Sequence, residues 1–337
     1  LEKIPSFMKK IITIGEVMLR LSPPGNQRFF QAGQLEVEFG GSEANVGAAL
    51  AYWGEQVSHL TAFPDHEIGW AAAGKMRKYG IDTQFISFIQ GRMGVYFLEN
   101  GAMQRSSQII YDRTDSAFSK FTGEGLDWDR LLDGVSCVHW SGISPAISQE
   151  AAQLTLQLLQ QANARKIRVF GDLNYRSNLW NYGKAPHEVM PQLMELTQVM
   201  IAGTRDFKQC LNEEFDSFLE AKTKVFRRFP KLEYLVKTDR ISHSSSSNSI
   251  SSSIHSSKKI FSSRTYEMTH IVDRVGTGDA FAAGLIYGLL YLKPKEAIEF
   301  AMASGVLKHS VPGDVLTCSL QEVKELMDGG GSGKIKR

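Results

Sequence analysis

Between Val135 and Thr238 short apolar runs alternate with longer stretches of helical spacing, and no other feature constrains the fold as strongly. Ser136–Trp140, Arg168–Phe170, Val199–Ala202 and Tyr234–Thr238 read as strands. Gln149–Ala164, Glu188–Thr197 and Phe215–Phe229 read as the helices between them. A strand that returns in the same direction needs a crossover, so the rhythm predicts a mostly parallel sheet with helices on both faces. The earlier part of the chain fits the same frame. Lys10–Ile14 (KIITI) is a buried strand closed by Gly15, Val57–Ala62 is a second strand, Ile68–Tyr79 is a helix stopped by Gly80, and Phe85–Ile89 opens another β region. No GxGxxG follows the first strand, which argues against a nicotinamide dehydrogenase.

Two β stretches interrupt this frame. Arg20–Glu38 carries proline, glycine and alternating polar residues, and Gly94–Glu99 with Ser107–Tyr111 reads as paired strands around an Asn100–Gly101 turn. Together they predict a small β lid over about residues 20–38 and 92–116, with Val95 and Phe97 on an apolar face that can pair with a second subunit. Ser242–Ser257 is low-complexity by composition, yet Ile250, Ile254 and Ile260 punctuate its neighbourhood, so irregular β-hairpins are expected rather than a free linker. Glu296–Leu307 and Thr317–Met327 read as closing helices, the last capped by Ser319. The segments 1–9 and 328–337 are expected to be flexible termini, with Met8 as the natural start. The tail DGGGSGKIKR lacks the spacing of a phosphate loop.

Composition excludes several function classes. The 337 residues are 42% hydrophobic and 22% charged, as in a soluble globular protein with room for one large α/β domain or two smaller ones. A net charge of +2 is too balanced to make nucleic acid or an anionic membrane the expected partner. No apolar run reaches bilayer-spanning length, and LEKIPSFMKK lacks the apolar core of a signal peptide. Cys137, Cys210 and Cys318 are scattered without a CxxC pair, against a disulfide framework or structural zinc and consistent with a reducing cytoplasm.

The chemistry concentrates in VDRVGTGDAFAAGLIYG, Val272–Gly288. A glycine-broken turn entering an apolar helix leaves amide N–H groups bare at the positive end of the helix dipole, a site for an anion such as a phosphate. Asp279 beside it can accept a proton from a hydroxyl attacking that phosphate, or can serve only as the cap of a core helix. In FGGSEANVGAALAYWG, Gly40–Gly41 permits close backbone approach, Ser42 is a plausible N-cap, and Asn45 sits in the first turn, over the glycines or at the surface. Glu16 lies just past the first strand. Asp172, Asn174 and Arg176 lie just past another. Both places are strand ends where open α/β sheets gather ligands, although a solvated loop or a surface ion pair satisfies the same residues.

Taken together, these pieces resemble the ribokinase-like (PfkB) carbohydrate kinases over nearly the whole chain from about Lys10. The Gly40–Gly41 helix with Asn45 and the VDRVGTGD stretch are similar to that family's two signatures. GVYFLE, Tyr111 and Arg113 in YDRTDSAF, SGIS and DLNYRSNLW look most like its 2-keto-3-deoxygluconate kinase branch. The resemblance implies a single ribokinase-like domain over 10–330, a doubly wound α/β sheet flanked by helices with a small β lid, acting in the cytoplasm on ATP and a sugar acid with Mg²⁺ and, in relatives, K⁺. It implies Asp279 as base, with Gly276, Thr277 and Gly278 as anion hole. Glu16, Gly40, Gly41, Asn45, Tyr96, Tyr111, Arg113, Ile143 and Arg176 would line the sugar-acid site. Thr238, Gly276, Gly278 and Lys308 would lie at the nucleotide, Asp206 at Mg²⁺ through water, and Asp273 at a monovalent cation. The lid implies a homo-oligomer. One departure stands out. After Val199–Ala202 the family usually places an asparagine and an acid, whereas here Gly203 and Arg205 stand there and Asp206 alone keeps a carboxylate. That implies weaker metal binding and leaves two alternatives: a kinase of another sugar (fructose, ribose, a nucleoside or the galactonate epimer), or a sugar-acid-binding regulator without catalysis.

Overall fold

The structure, a computed structural model, describes residues 8–244 and 247–329. The chain begins with β1 (Lys10–Ile14), β2 (Met18–Ser22), β3 (Glu36–Gly40), α1 (Ser42–Tyr52), β4 (Gln56–Pro64), α2 (Glu67–Lys78), β5 (Ile86–Ile89), β6 (Val95–Glu99) and β7 (Gln108–Asp112). Two short helices, α3 (Ala117–Lys120) and α4 (Trp128–Leu132), lead to β8 (Val135–Ser141), α5 (Gln149–Ala164), β9 (Arg168–Asp172), α6 (Pro186–Glu195), β10 (Val199–Ile201), α7 (Thr204–Leu211) and α8 (Phe218–Arg228). The chain closes with β11 (Tyr234–Ser244), β12 (Ser247–His255), β13 (Ile260–Ser262), β14 (Tyr266–Thr269), α9 (Thr277–Tyr291), α10 (Pro294–Lys308) and α11 (Leu320–Met327).

The main sheet runs β13-β12-β11-β10-β9-β8-β1-β4-β5, with β14 also paired to β12. From β11 to β5 every pairing is parallel, and only β12 runs the other way, antiparallel to β11, β13 and β14. Successive residues on the central strands enter opposite cores. Ile12, Val138, Val169, Met200 and Leu235 face the helices α5 to α8, whereas Ile11, Cys137, Phe170, Val199 and Val236 face α1, α9, α10 and α11. Strands covered on both sides must be apolar at every position, which is why these read as unbroken hydrophobic runs. The parallel order brings the C-terminal ends of β1, β8, β9, β10 and β11 to one edge, where the site is built.

A second, four-stranded sheet, β3-β2-β6-β7, stands apart as the lid. Its strands match the predicted stretches, but the connection differs. β6 and β7 are joined by residues 100–107 rather than by a two-residue turn, because Asn100 donates to the Gly25 carbonyl at 3.1 Å and Gly101 N–H to Ser107 Oγ at 2.9 Å. A second difference lies between β10 and β11. The helix expected over Phe215–Phe229 is α8, but an unexpected helix, α7, precedes it and ends at Asn212 in the left-handed conformation (φ 52°). The serine-rich stretch forms a hairpin, β11 against β12, whose register shifts between Ser242 and Ser244 and which turns Ile250 and Ile254 into the core; residues 245–246 lie outside the described residues. So do 1–7 and 330–337, and with them most of both expected flexible termini; Lys9 is held, its amide donating to Glu55 Oε2 at 2.7 Å.

Candidate active site

α9 begins where the backbone turns left-handed, with Gly276 at the N-cap (φ 75°, ψ 7°). A Cβ there would lie 1.8 Å from the Asp314 carbonyl oxygen, so only glycine lets these two loops touch. The first helical bond runs from Ala280 N–H to the Gly276 carbonyl at 2.9 Å, which leaves the amides of Thr277, Gly278 and Asp279 without a helical acceptor. With the helix dipole behind them, they form an anion cradle.

Asp279 stands beside this cradle, partly exposed. Ser42 Oγ donates to its Oδ1 at 2.7 Å, and Asn45 Nδ2 donates to its Oδ2 at 2.7 Å. Both donors sit in the first turn of α1. The N-cap of α1 is Gly41 rather than Ser42, which frees the serine hydroxyl for the carboxylate. Burial pushes the Asp279 carboxyl up to about 6, and the two hydrogen bonds and the charge of Arg176 pull it back. The room left by Gly40 and Gly41 is filled by the protein itself: a Cβ on Gly40 would lie 2.1 Å from the Asp314 carboxylate, and one on Gly41 2.0 Å from the Glu16 carbonyl.

The lid closes over this corner. Glu16 is buried, and its Oε2 accepts from Arg113 Nε at 2.8 Å and from Nη2. The guanidinium expected to wait for a substrate carboxylate is therefore already paired. It lies 5.9 Å from the Tyr111 ring, which lies 6.0 Å from that of Tyr96. Tyr96 is buried and its hydroxyl donates to Asp314, so this hydroxyl, expected to face the sugar, is engaged inside the protein. Arg176 is exposed after β9, close enough to lower the pKa of both Asp279 and Asp172. Ile143 leads into the 3₁₀ turn Ser144–Ala146, its amide donating to Ser141 Oγ at 3.2 Å.

A cavity of roughly 350 Å³ opens beside the cradle, at the ends of β9 to β11 and against α9 and α10. Ile250, Phe281 and Met302 make it apolar on one side; Thr238, Thr277 and Gly278 make it polar on the other. Lys308 is not part of its lining: the amine is buried and donates to the Val311 carbonyl at 2.7 Å.

Asp172 and Asp206 also line the cavity. Burial, with the charges of Asp206 and Asp279 added, pushes the Asp172 carboxyl up to about 8. A divalent cation held with phosphate oxygens relieves that excess of negative charge, so the donor set fits Mg²⁺, which commonly takes one or two carboxylates and several waters. Asp206 also accepts from Gly203 N–H at 2.7 Å and Tyr175 N–H at 3.0 Å, and so caps α7. Among the described residues no cluster of three or more His, Cys, Asp or Glu gathers as a metal site. Asp273 does not fit the monovalent cation assigned to it. Its Oδ1 accepts from Val275 N–H at 2.9 Å, and its Oδ2 accepts from Gly313 N–H at 3.0 Å and faces both Nη atoms of Arg20 at 3.4 Å.

Sequence reasoning does not mark Arg20, the role of the Ser42 hydroxyl, Glu43 or the carboxylate of Asp314. Glu43 is buried under the first turn of α1, and its Oε1 accepts from Ser141 Oγ at 2.8 Å and Ser144 Oγ at 2.7 Å. Burial pushes its carboxyl up to about 7. A glutamate in a first turn ordinarily reads as an exposed partner of the helix dipole, and nothing local announces its burial.

The sequence matches the pfkB family carbohydrate kinase pattern over residues 8–319. The crystal structure of a 2-dehydro-3-deoxygluconokinase from Thermotoga maritima is similar at a TM-score of 0.89 and 39% identity, over 95% of this chain and 100% of that one. A putative 2-keto-3-deoxygluconate kinase from Enterococcus faecalis is similar at a TM-score of 0.88 and 27% identity, over 98% and 99% of the two chains. The 2-dehydro-3-deoxygalactonokinase of Haloferax volcanii is 29% identical over 96% of this chain and 98% of its own.

Proposed function

The chain belongs to the pfkB family of carbohydrate kinases, and on that premise we propose that it transfers the γ-phosphoryl group of ATP to the terminal hydroxyl of 2-keto-3-deoxygluconate, giving the 6-phosphate. The observation that carries this reading is the pairing of Asp279 with Asn45 and Ser42 at the mouth of α9, beside three bare amides. The sugar hydroxyl oxygen bonds to the γ-phosphorus, the bond from that phosphorus to the β–γ bridging oxygen breaks, and ADP leaves. Asp279 receives the hydroxyl proton, late in a transfer whose catalysis is chiefly positioning and charge stabilisation. The amides of Thr277, Gly278 and Asp279 face the charge on the transferring group. Arg176 supplies the charge that favours a carboxylate on the sugar, and Nη1 of Arg113, whose charge Glu16 neutralises, offers it an N–H donor. Mg²⁺, when bound, neutralises phosphate charge, and Asp172 and Asp206 would hold it with the phosphates and water. Ile250, Phe281 and Met302 supply the apolar wall for the adenine.

The galactonate epimer is the second reading, favoured by the likeness to the Haloferax volcanii enzyme. The test is ADP release with ATP and Mg²⁺ against 2-keto-3-deoxygluconate, 2-keto-3-deoxygalactonate, fructose, ribose and adenosine. Turnover confined to the two keto-deoxy acids, with the gluconate preferred, is expected. Faster turnover of a neutral sugar sinks the acidic-substrate reading, and silence across the panel with retained sugar-acid binding sinks the kinase. We extend the reading to assembly and location. A second copy of the chain covers the outer face of the lid, and the three cysteines, buried and free, suit a reducing cytoplasm.

A further inference from the structure

We infer that Arg20 is a built-in cation: a lid residue whose guanidinium takes the place of a bound monovalent ion and clamps the loops that shape the anion cradle. Arg20 lies on β2, in the middle of the lid, yet its side chain is buried and reaches the far end of the chain. Its Nε donates to Ser22 Oγ at 2.9 Å, its Nη1 donates to Asp314, and both Nη atoms face Asp273 Oδ2 at 3.4 Å. Lys308, also buried, sits in the field of the same two carboxylates. Arg20 thus lies between two buried carboxylates and pairs with both, so neither needs an ion as its counter-charge. An added K⁺ would have to displace the guanidinium from Asp273 or leave a buried excess of positive charge.

The clamp acts on the cradle through backbone. Asp273 Oδ1 holds Val275 N–H, the residue before Gly276, and Asp273 Oδ2 holds Gly313 N–H. The next residue, Asp314, presses its carbonyl against Gly276 at the distance only glycine allows, and its carboxylate carries both Arg20 and the Tyr96 hydroxyl. Arg20 therefore ties β2 and β6 of the lid to the turn that aims the amides of residues 277–279. It is a positioning residue, since it touches the cradle only through Asp273 and Asp314. The inference rests on the kinase reading for its rate measurements, and melting measurements decide it separately.

The experiment compares the chloride salts of sodium, potassium and tetramethylammonium at constant ionic strength, with Mg²⁺ present, for the wild type, Arg20→Met and Arg20→Lys. The wild type is expected to show the same kcat and the same melting temperature in all three. Arg20→Met is expected to lose roughly 10²-fold in kcat in tetramethylammonium, the order that follows from displaced catalytic geometry. Part of that loss, and part of its lowered melting temperature, should return with K⁺ or guanidinium ion, because an ion that binds only the native state stabilises it by mass action. Arg20→Lys is expected to keep the wild-type indifference to salt. A wild type that needs K⁺ for kcat or for its melting temperature overturns the inference. So does an Arg20→Met enzyme with undiminished kcat, or one whose losses are equal in every salt, which leaves Arg20 a plain structural ion pair. If no sugar acid is turned over at all, the kinase reading fails, and the salt dependence of the melting temperatures still decides the role of Arg20.

Discussion

A carboxylate at a helix N-terminus is ordinarily held ionised by the unpaired amides, yet burial moves Asp279 upward, to about 6. The transfer needs Asp279 as the anion, so kcat should rise with pH through about 6 and level off above it. Asp279→Asn keeps the shape and one acceptor for Ser42 or Asn45 but cannot take the proton. Its kcat should fall by about three orders of magnitude while sugar-acid binding, measured by calorimetry, survives. A mutant that keeps most of its rate assigns the base elsewhere. Glu43 makes a prediction of the opposite kind, about stability. Its carboxyl is raised from 4.5 to about 7, so between those values the folded protein holds a proton that the unfolded chain has released. Stability from this group is full below pH 4.5 and is lost as pH rises to about 7, by roughly 3 kcal/mol. Asp279 and Asp172 are raised as well, so Glu43→Gln should make the slope shallower rather than abolish it in denaturant titrations run from pH 5 to pH 8, and an unchanged slope would remove Glu43 as a source. The N-terminal signature is legible in sequence as a ligand-facing turn. Its donors to Asp279 and its buried acid are not separable there, because hydrogen-bond partners and burial depend on what packs over the turn.

At the scale of elements, the start of α9 is legible as a glycine-broken anion site, since the spacing GTGD carries its own geometry. What the spacing does not carry is the full reason for Gly276. It answers to a contact with Asp314 as well as to its positive φ. Gly276→Ala should destabilise the fold by about 2 kcal/mol through left-handed strain and overlap. It should also lower kcat by roughly 10²-fold through the misplaced amides. Thermal melts and steady-state rates check the two separately, and an alanine variant with full activity would show that the amides take no part. α7 escapes the strand–helix rhythm although its signals are local: Phe207, Cys210 and Leu211 keep helical spacing, and Asp206 in the first turn accepts from the Gly203 N–H. Reading Asp206 as a metal ligand alone hides that cap. The serine-rich hairpin is legible in outline because isoleucines four apart, Ile250 and Ile254, share a face on a strand as well as on a helix, and only the pairing with β11 decides between them.

At the scale of the molecule, the lid has two faces of different character. Tyr96 and Arg20 point toward the site, while Val37, Phe97 and Ile110 share the opposite face by the registers Leu21↔Val37, Leu21↔Phe97 and Phe97↔Ile110. Val37 is 58% exposed and Ile110 59% exposed, an apolar surface that a second lid would cover. Ile110→Asp should weaken the dimer by about 3 kcal/mol, roughly a hundredfold in the dissociation constant, since it places an unpaired charge in that interface. Sedimentation of both proteins over a concentration series checks this; a wild type that is monomeric throughout ends the idea. The doubly wound frame, its lid and the position of the anion cradle were determined by the sequence itself, because apolar period, glycine placement and helix starts are short-range properties that each segment states alone. Tertiary structure alone decided that Glu16 neutralises Arg113, that Tyr96 and Arg20 converge on Asp314, and that the Lys308 amine turns inward to the Val311 carbonyl. Those outcomes are set by which charges meet once the two ends of the chain are brought together, and a buried charge takes whatever partner the fold supplies.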